Sequence, residues 1–82
     1  MVVINVSSRF KKGVKHLNSE QRIKLEKVIK KILKNPLIGK PLRYTRGERS
    51  LRVKPFRLVY SFRKDTKILY LLKFNHRDMV YD

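Results

Sequence analysis

Arg52, Lys54 and Arg57 lie within six consecutive positions, and His76, Arg77, Asp78 and Tyr81 stand together near the end of the chain. Such a set suits a polyanion. Arginine is a planar, permanently charged fork that matches a phosphate, and lysine is a compact point charge. Beside a tyrosine or histidine, these cations could bind an RNA phosphate and could also cleave the RNA without a metal. The ribose 2′-OH would be the nucleophile, a base would take its proton, and the cations would stabilise charge on the phosphorane. A lysine serves as that base only where like charges lower its pKa. Arg43, Arg46, Arg49, Arg63 and Lys73 are expected to hold nucleic acid around this centre.

Each residue also has a plainer reading. Arg52, Lys54 and Arg63 would serve equally as solvated positions on an amphipathic sheet. Arg57, next to Phe56, could be a structural ion-pair partner. His76 follows apolar Phe74 and reads as a core or surface histidine, Tyr60 and Tyr70 read as core, and Tyr81 as a frayed end or a lid. The lysines of the 18–35 segment read as a solubilising face.

Other chemistry is excluded more firmly. Gly13, Gly39 and Gly47 are isolated, so there is no glycine-rich phosphate loop, and the chain has no cysteine. His16 and His76 are far apart and the acids are scattered, so neither a metal site nor a paired-carboxylate site is expected, and no cofactor is implied. A Ser-His-Asp set can be drawn from Ser50 or Ser61 with His76 and Asp78, but no nucleophile-elbow motif supports it.

The elements that position these residues must come from 82 residues, read as one domain over 1–82. Hydrophobic residues make up 41%, too many for a disordered tail, although 22 Lys and Arg against six acids give a formal charge of +16. Such self-repulsion is expected to be answered by a polyanionic partner. Lysine dominates the first half and arginine the second, which places scaffold first and chemistry second. The longest apolar run, Ile68 to Leu72, is far short of the roughly 20 residues that span a bilayer. The first residues are apolar and the basic ones follow, the reverse of a secretory signal. The expectation is a soluble, cytoplasmic domain with no membrane partner.

Met1 to Val6 reads as a β-branched strand with Val2, Ile4 and Val6 on one face. Ser7 and Ser8 can cap a helix over about Ser8 to Leu17 that buries Phe10, Val14 and Leu17, with Gly13 weakening it by about 1 kcal/mol. Asn18 and Gln21 form a capping-box pattern that opens a second helix, along which Leu25, Val28, Ile29, Ile32 and Leu33 recur at helical spacing. Asn35-Pro36 ends it. Beyond Pro41 the period becomes two: an edge strand at Leu42 to Tyr44, a turn at Arg46 to Glu48, and strands around Leu51 to Lys54, Phe56 to Phe62 and Ile68 to Phe74. The last is apolar on both faces, which suits a central strand. The expected fold is α+β in the order β-α-α-β-β-β, an N-terminal helical hairpin packed on a twisted, mainly antiparallel sheet.

Three segments together resemble the RelE/ParE toxin superfamily. Ser50-Leu51-Arg52-Val53-Lys54-Pro55-Phe56-Arg57-Leu58-Val59-Tyr60 resembles that family's "R-V … Y-R-L-V-Y" core. The ending His76-Arg77-Asp78-Met79-Val80-Tyr81 is similar to its "H-R-x-x-x-Y" signature, and the Pro36 to Leu42 segment to its link between helices and sheet. The resemblance implies the RelE-like fold and the toxin of a type II toxin–antitoxin system. RelE-like members enter the ribosomal A site and cleave mRNA, leaving a cyclic or 3′-phosphate and a 5′-hydroxyl.

By the same resemblance, Arg52 and Lys54 fall on the strand that supplies basic catalytic side chains. Arg57 would stabilise the transition state, Arg77 would contact the scissile phosphate or hold the active conformation, and Tyr81 would be a base or a stacking group. His76 is the weakest of the six catalytic candidates. RelE proper carries two lysines where Ser50 and Arg52 stand, and an arginine keeps its proton, so Lys54, Tyr81 and His76 are rival bases. The implied partners are mRNA, the ribosomal A site and a RelB-like antitoxin with an acidic contact surface, joined in a hetero-oligomer. Two other readings stay open: a ParE-type toxin that poisons DNA gyrase without cutting RNA, and a nonspecific nucleic-acid-binding protein.

Overall fold

A computed structural model describes residues 2–76. Arg77, Asp78 and Tyr81 therefore lie outside the described residues. Strand β1 (Val3–Val6) leads into helix α1 (Ser8–Val14) and helix α2 (Ser19–Lys34). Four strands follow: β2 (Lys40–Pro41), β3 (Glu48–Val53), β4 (Phe56–Arg63) and β5 (Ile68–His76). They form one sheet in the order β1-β5-β4-β3-β2. All pairs are antiparallel except β1 with β5, which run parallel. The expected α+β class and mainly antiparallel sheet are what the chain adopts.

Local chemistry sets the helix starts. The Ser7 hydroxyl accepts from the Phe10 N–H at 3.1 Å and donates to the Leu72 carbonyl at 2.6 Å, so one side chain caps α1 and ties it to β5. The capping box at α2 is complete: Asn18 accepts from the Gln21 N–H at 2.8 Å and the Gln21 side chain accepts from the Asn18 N–H at 3.2 Å.

Helix α1 ends at Val14 rather than Leu17, although Leu17 is buried as expected. Within the helix stands Gly13, where a Cβ would overlap the Phe74 carbonyl. This glycine lets α1 lie directly on β5, a close approach that offsets its weak helix propensity. Helix α1 runs along β5 and α2 along β3.

The core lies between the helices and one sheet face. Phe10, Leu17, Leu25 and Ile32 meet Val53, Leu58, Tyr60, Leu69, Leu71 and Phe74, with Leu51, Phe56 and Phe62 packed against them. Strand β4 therefore buries Phe56, Leu58, Tyr60 and Phe62 on the helix side, as its period-two pattern predicts. Strand β5 departs from strict alternation. A bulge beside Val59 and Tyr60 pairs them with Lys73 and Leu71, skipping Leu72. One extra residue shifts the inward set from Leu69 and Leu71 to Phe74, and so accounts for the apolar residues at both parities.

The edge strand forms at Lys40–Pro41 instead of Leu42 to Tyr44. Its position is fixed by a brace the local pattern does not reveal. The buried Tyr60 hydroxyl donates to the Pro36 carbonyl at 2.8 Å and accepts from the Gly39 N–H at 2.9 Å. A Cβ at Gly39 would come within 2.7 Å of that hydroxyl. Arg49 donates from Nη1 to the Gly39 and Leu37 carbonyls at 2.8 and 3.2 Å. Burial pushes the Tyr60 hydroxyl pKa up, partly countered by the Gly39 N–H and the Arg49 charge. Among the described residues, no helix is long and apolar enough to cross a membrane.

Candidate nucleic-acid interface

Because Leu51, Val53, Phe56, Leu58 and Phe74 face the helices, strand alternation turns Arg52, Arg57 and Asn75 to the opposite face. Register then aligns them. Arg52 pairs with Arg57 and Arg57 pairs with Asn75, so the three stand in one row across β3, β4 and β5. Neighbouring strands lie roughly 4.8 Å apart, close enough for two guanidinium groups to reach one phosphodiester. A second row, Ser50, Val59 and Lys73, runs beside the first.

Under this row the backbone is held by aromatic packing. Phe56 stacks on Phe74 with ring centroids 4.9 Å apart, and Phe10 meets Phe74 edge-on at 6.1 Å. The short turn after β3 contains Lys54 and Pro55 and brings Arg57 back beside Arg52. Lys54 is exposed in that turn, immediately next to the row.

The predicted site residues thus divide. Arg52 and Arg57 converge on one face, with Lys54 at its border. His76 pairs with Phe56 and meets its ring edge-on at 6.0 Å. It has the parity of Phe74, so alternation sets it on the helix side of the sheet, away from Arg57. Arg77 and Tyr81 fall outside the described residues.

The wider basic set divides too. Lys73 belongs to the second row of the face away from the helices, beside buried Val59 and Ser50. Arg49 is half-buried on the helix side and holds the 37–39 backbone. Arg63 pairs with Asp65 at 3.4 Å beside the β4–β5 turn, at the far end of the sheet. That guanidinium, with the Thr66 N–H, holds the Asp65 carboxyl below the usual range. Arg43 lies over the Tyr44 ring at 5.5 Å, and with Arg46 occupies the exposed 42–47 loop. Asn75, a neutral donor and acceptor in the arginine row, escaped the sequence reading because nothing in its type or spacing marks it. Among the described residues there is no cluster of three or more His, Asp or Glu that could hold a metal ion.

Two helices thus cover one face of the sheet, and Arg52 and Arg57 stand in register on the other. Residues 4–81 match the family described as the ParE toxin of the type II toxin–antitoxin system, parDE, and the chain belongs to that family within the RelE/ParE superfamily. Its fold is that of the isolated Escherichia coli RelE toxin (TM-score 0.80, 20% identity, covering 93% of this chain and 84% of that one). It is equally similar to the E. coli RelBE toxin–antitoxin complex (0.80, 23% identity, 93% and 96% covered). The Mycobacterium tuberculosis RelBE2 toxin–antitoxin complex is similar at TM-score 0.70, with 26% identity over 93% of this chain and 98% of that one. No protein of curated function matches the sequence.

Proposed function

We propose that this chain is the toxin of a type II toxin–antitoxin pair and acts as a metal-independent endoribonuclease on mRNA in the ribosomal A site. The observation that carries the proposal is the register match of Arg52 with Arg57 on the sheet face away from the helices. In this mechanism a base removes the 2′-OH proton and the 2′-oxygen attacks the adjacent phosphorus. The bond to the 5′-oxygen breaks, leaving a 2′,3′-cyclic phosphate and a 5′-hydroxyl that takes up a proton. Arg57 and Arg52 stabilise the charge that accumulates on the phosphorane, where aligned donors act most strongly. Of the three rival bases, Lys54 borders the row and His76 has the opposite parity, which favours Lys54; Tyr81 is the remaining rival.

The ribosome supplies the orientation that a small domain lacks. Holding the 2′-OH in line with the phosphorus contributes several kcal/mol through orientation alone. The partner that silences the toxin is a RelB-like antitoxin with an acidic contact surface, in keeping with the +16 charge and with the toxin–antitoxin complexes that share the fold. A second reading, a ParE-type gyrase poison, is favoured by the family match itself. Induced expression followed by mapping of mRNA 5′ ends separates the two. Cuts at A-site codons support the nuclease. DNA breaks tied to gyrase, with intact mRNA, refute it.

A further inference from the structure

At the end of the sheet that carries Arg52 and Arg57, the sheet narrows from five strands to three. Strand β2 pairs with β3 only at Arg49 and Ser50, and β1 pairs with β5 only as far as Leu71. The remaining edges of β3 and β5 are flanked by α2 and α1 respectively. Each flank forms a groove. One, of about 270 Å3, is lined by Lys24, Lys27, Val28, Lys31, Arg52, Val53 and Lys54. The other, of about 320 Å3, is lined by Arg9, Lys12, Gly13 and Asn75. Among the described residues neither groove has an acid in its wall, and all seven cations are exposed.

The row described above joins them. Arg52 lines the first groove, Arg52 pairs with Arg57, Arg57 pairs with Asn75, and Asn75 lines the second. We propose that the two grooves are the ends of one continuous track for the phosphodiester backbone of single-stranded RNA, running across the strands with Arg57 at its midpoint. The inference rests on the preceding section only for the choice of RNA as the polyanion. It assigns binding roles to Arg9, Lys12, Lys24, Lys27 and Lys31.

The geometry fits a strand. Lys24, Lys27 and Lys31 recur along one side of α2 and span about 10 Å at 1.5 Å per residue, longer than a single phosphate group. The central row spans roughly another 10 Å across three strands. Among the described residues the groove walls are cationic rather than aromatic, which suits contacts to charge more than to base faces.

The test uses the full chain and RNA made entirely of 2′-O-methyl nucleotides, which cannot be cut by 2′-OH attack, so binding is read apart from catalysis. Fluorescence anisotropy across a salt titration compares a trinucleotide with a dodecamer. The wild type should bind the dodecamer more tightly and with a steeper salt dependence. The K24Q/K27Q/K31Q variant should flatten the slope of log K against log salt by about 2, and R9Q/K12Q by about 1.4, at about 0.7 per phosphate contact. Trinucleotide binding should hold in both. The control K30Q/K34Q, on α2 but outside both grooves, should move neither.

Equal dodecamer and trinucleotide affinity would overturn the track, as would an equal loss from the control or a loss confined to one groove. Groove variants that lose polyglutamate but keep RNA would assign the grooves to an acidic protein instead. A wild type that shows these slopes yet cuts no mRNA on ribosomes would remove the nuclease reading and leave the track standing.

Discussion

The two ends of the sheet are built from the same strands and spend their arginines differently. At the wide end, beside the β4–β5 turn and the 36–41 segment, cations are consumed internally. Arg49 holds two backbone carbonyls and Arg63 pairs with Asp65. At the narrow end Arg52 and the groove lysines gather with no acid among the described residues of the groove walls. The difference teaches that residue type alone does not place a cation in a site. Strand parity and the position of acceptors decide it.

Arg57→Ala should give the largest effect, a loss of roughly 10²–10³-fold in mRNA cleavage on ribosomes by protein that is still folded, since a removed transition-state donor costs that much. Primer extension with a thermal melt checks it. If Arg63→Ala at the wide end lost as much, the contrast between the ends would be broken.

Gly13→Ala probes the scaffold under the narrow end. The new methyl meets the Phe74 carbonyl backbone, which cannot swing aside, and unfolding free energy should fall by about 3 kcal/mol in urea titration. Tyr60→Phe tests the brace at the wide end. It removes both hydrogen bonds of the hydroxyl and should cost about 2 kcal/mol.

The Tyr60 variant also carries a pH signature. The folded hydroxyl pKa lies above its unfolded value, so its contribution to stability is complete below about pH 10 and is lost as pH rises through the folded pKa. Stability curves of the wild type should fall more steeply above pH 10 than those of Tyr60→Phe. The smallest effect is expected from Asp65→Asn. Both partners of that pair are largely exposed, so the urea midpoint should not shift measurably.

Much of the fold was legible because its signals are local. Apolar periodicity marked α2 and β4, and the Asn18/Gln21 pair marked a helix start that the structure reproduces atom for atom. What escaped depends on distant partners. The parallel placement of β1 beside β5, the bulge opposite Val59 and Tyr60, and the edge strand at Lys40–Pro41 are all set by tertiary contacts. The same limit governs the site. The period-two pattern placed Arg52 and Arg57 on the face away from the core, whereas nothing local told that Arg49 would be claimed by carbonyls ten and twelve residues upstream.

The sheet joins nearly the first residues of the chain to nearly the last. Strand β5 lies between β1 and β4, supplies Leu69, Leu71 and Phe74 to the core, and receives the Ser7 hydroxyl across 65 residues. A nascent chain still missing this strand has no partner for β1, no seat for α1 and no surface to close the core. Such long-range closure is slow and comes late. Seating Arg57 between Arg52 and Asn75 therefore depends on β5 having paired with β4.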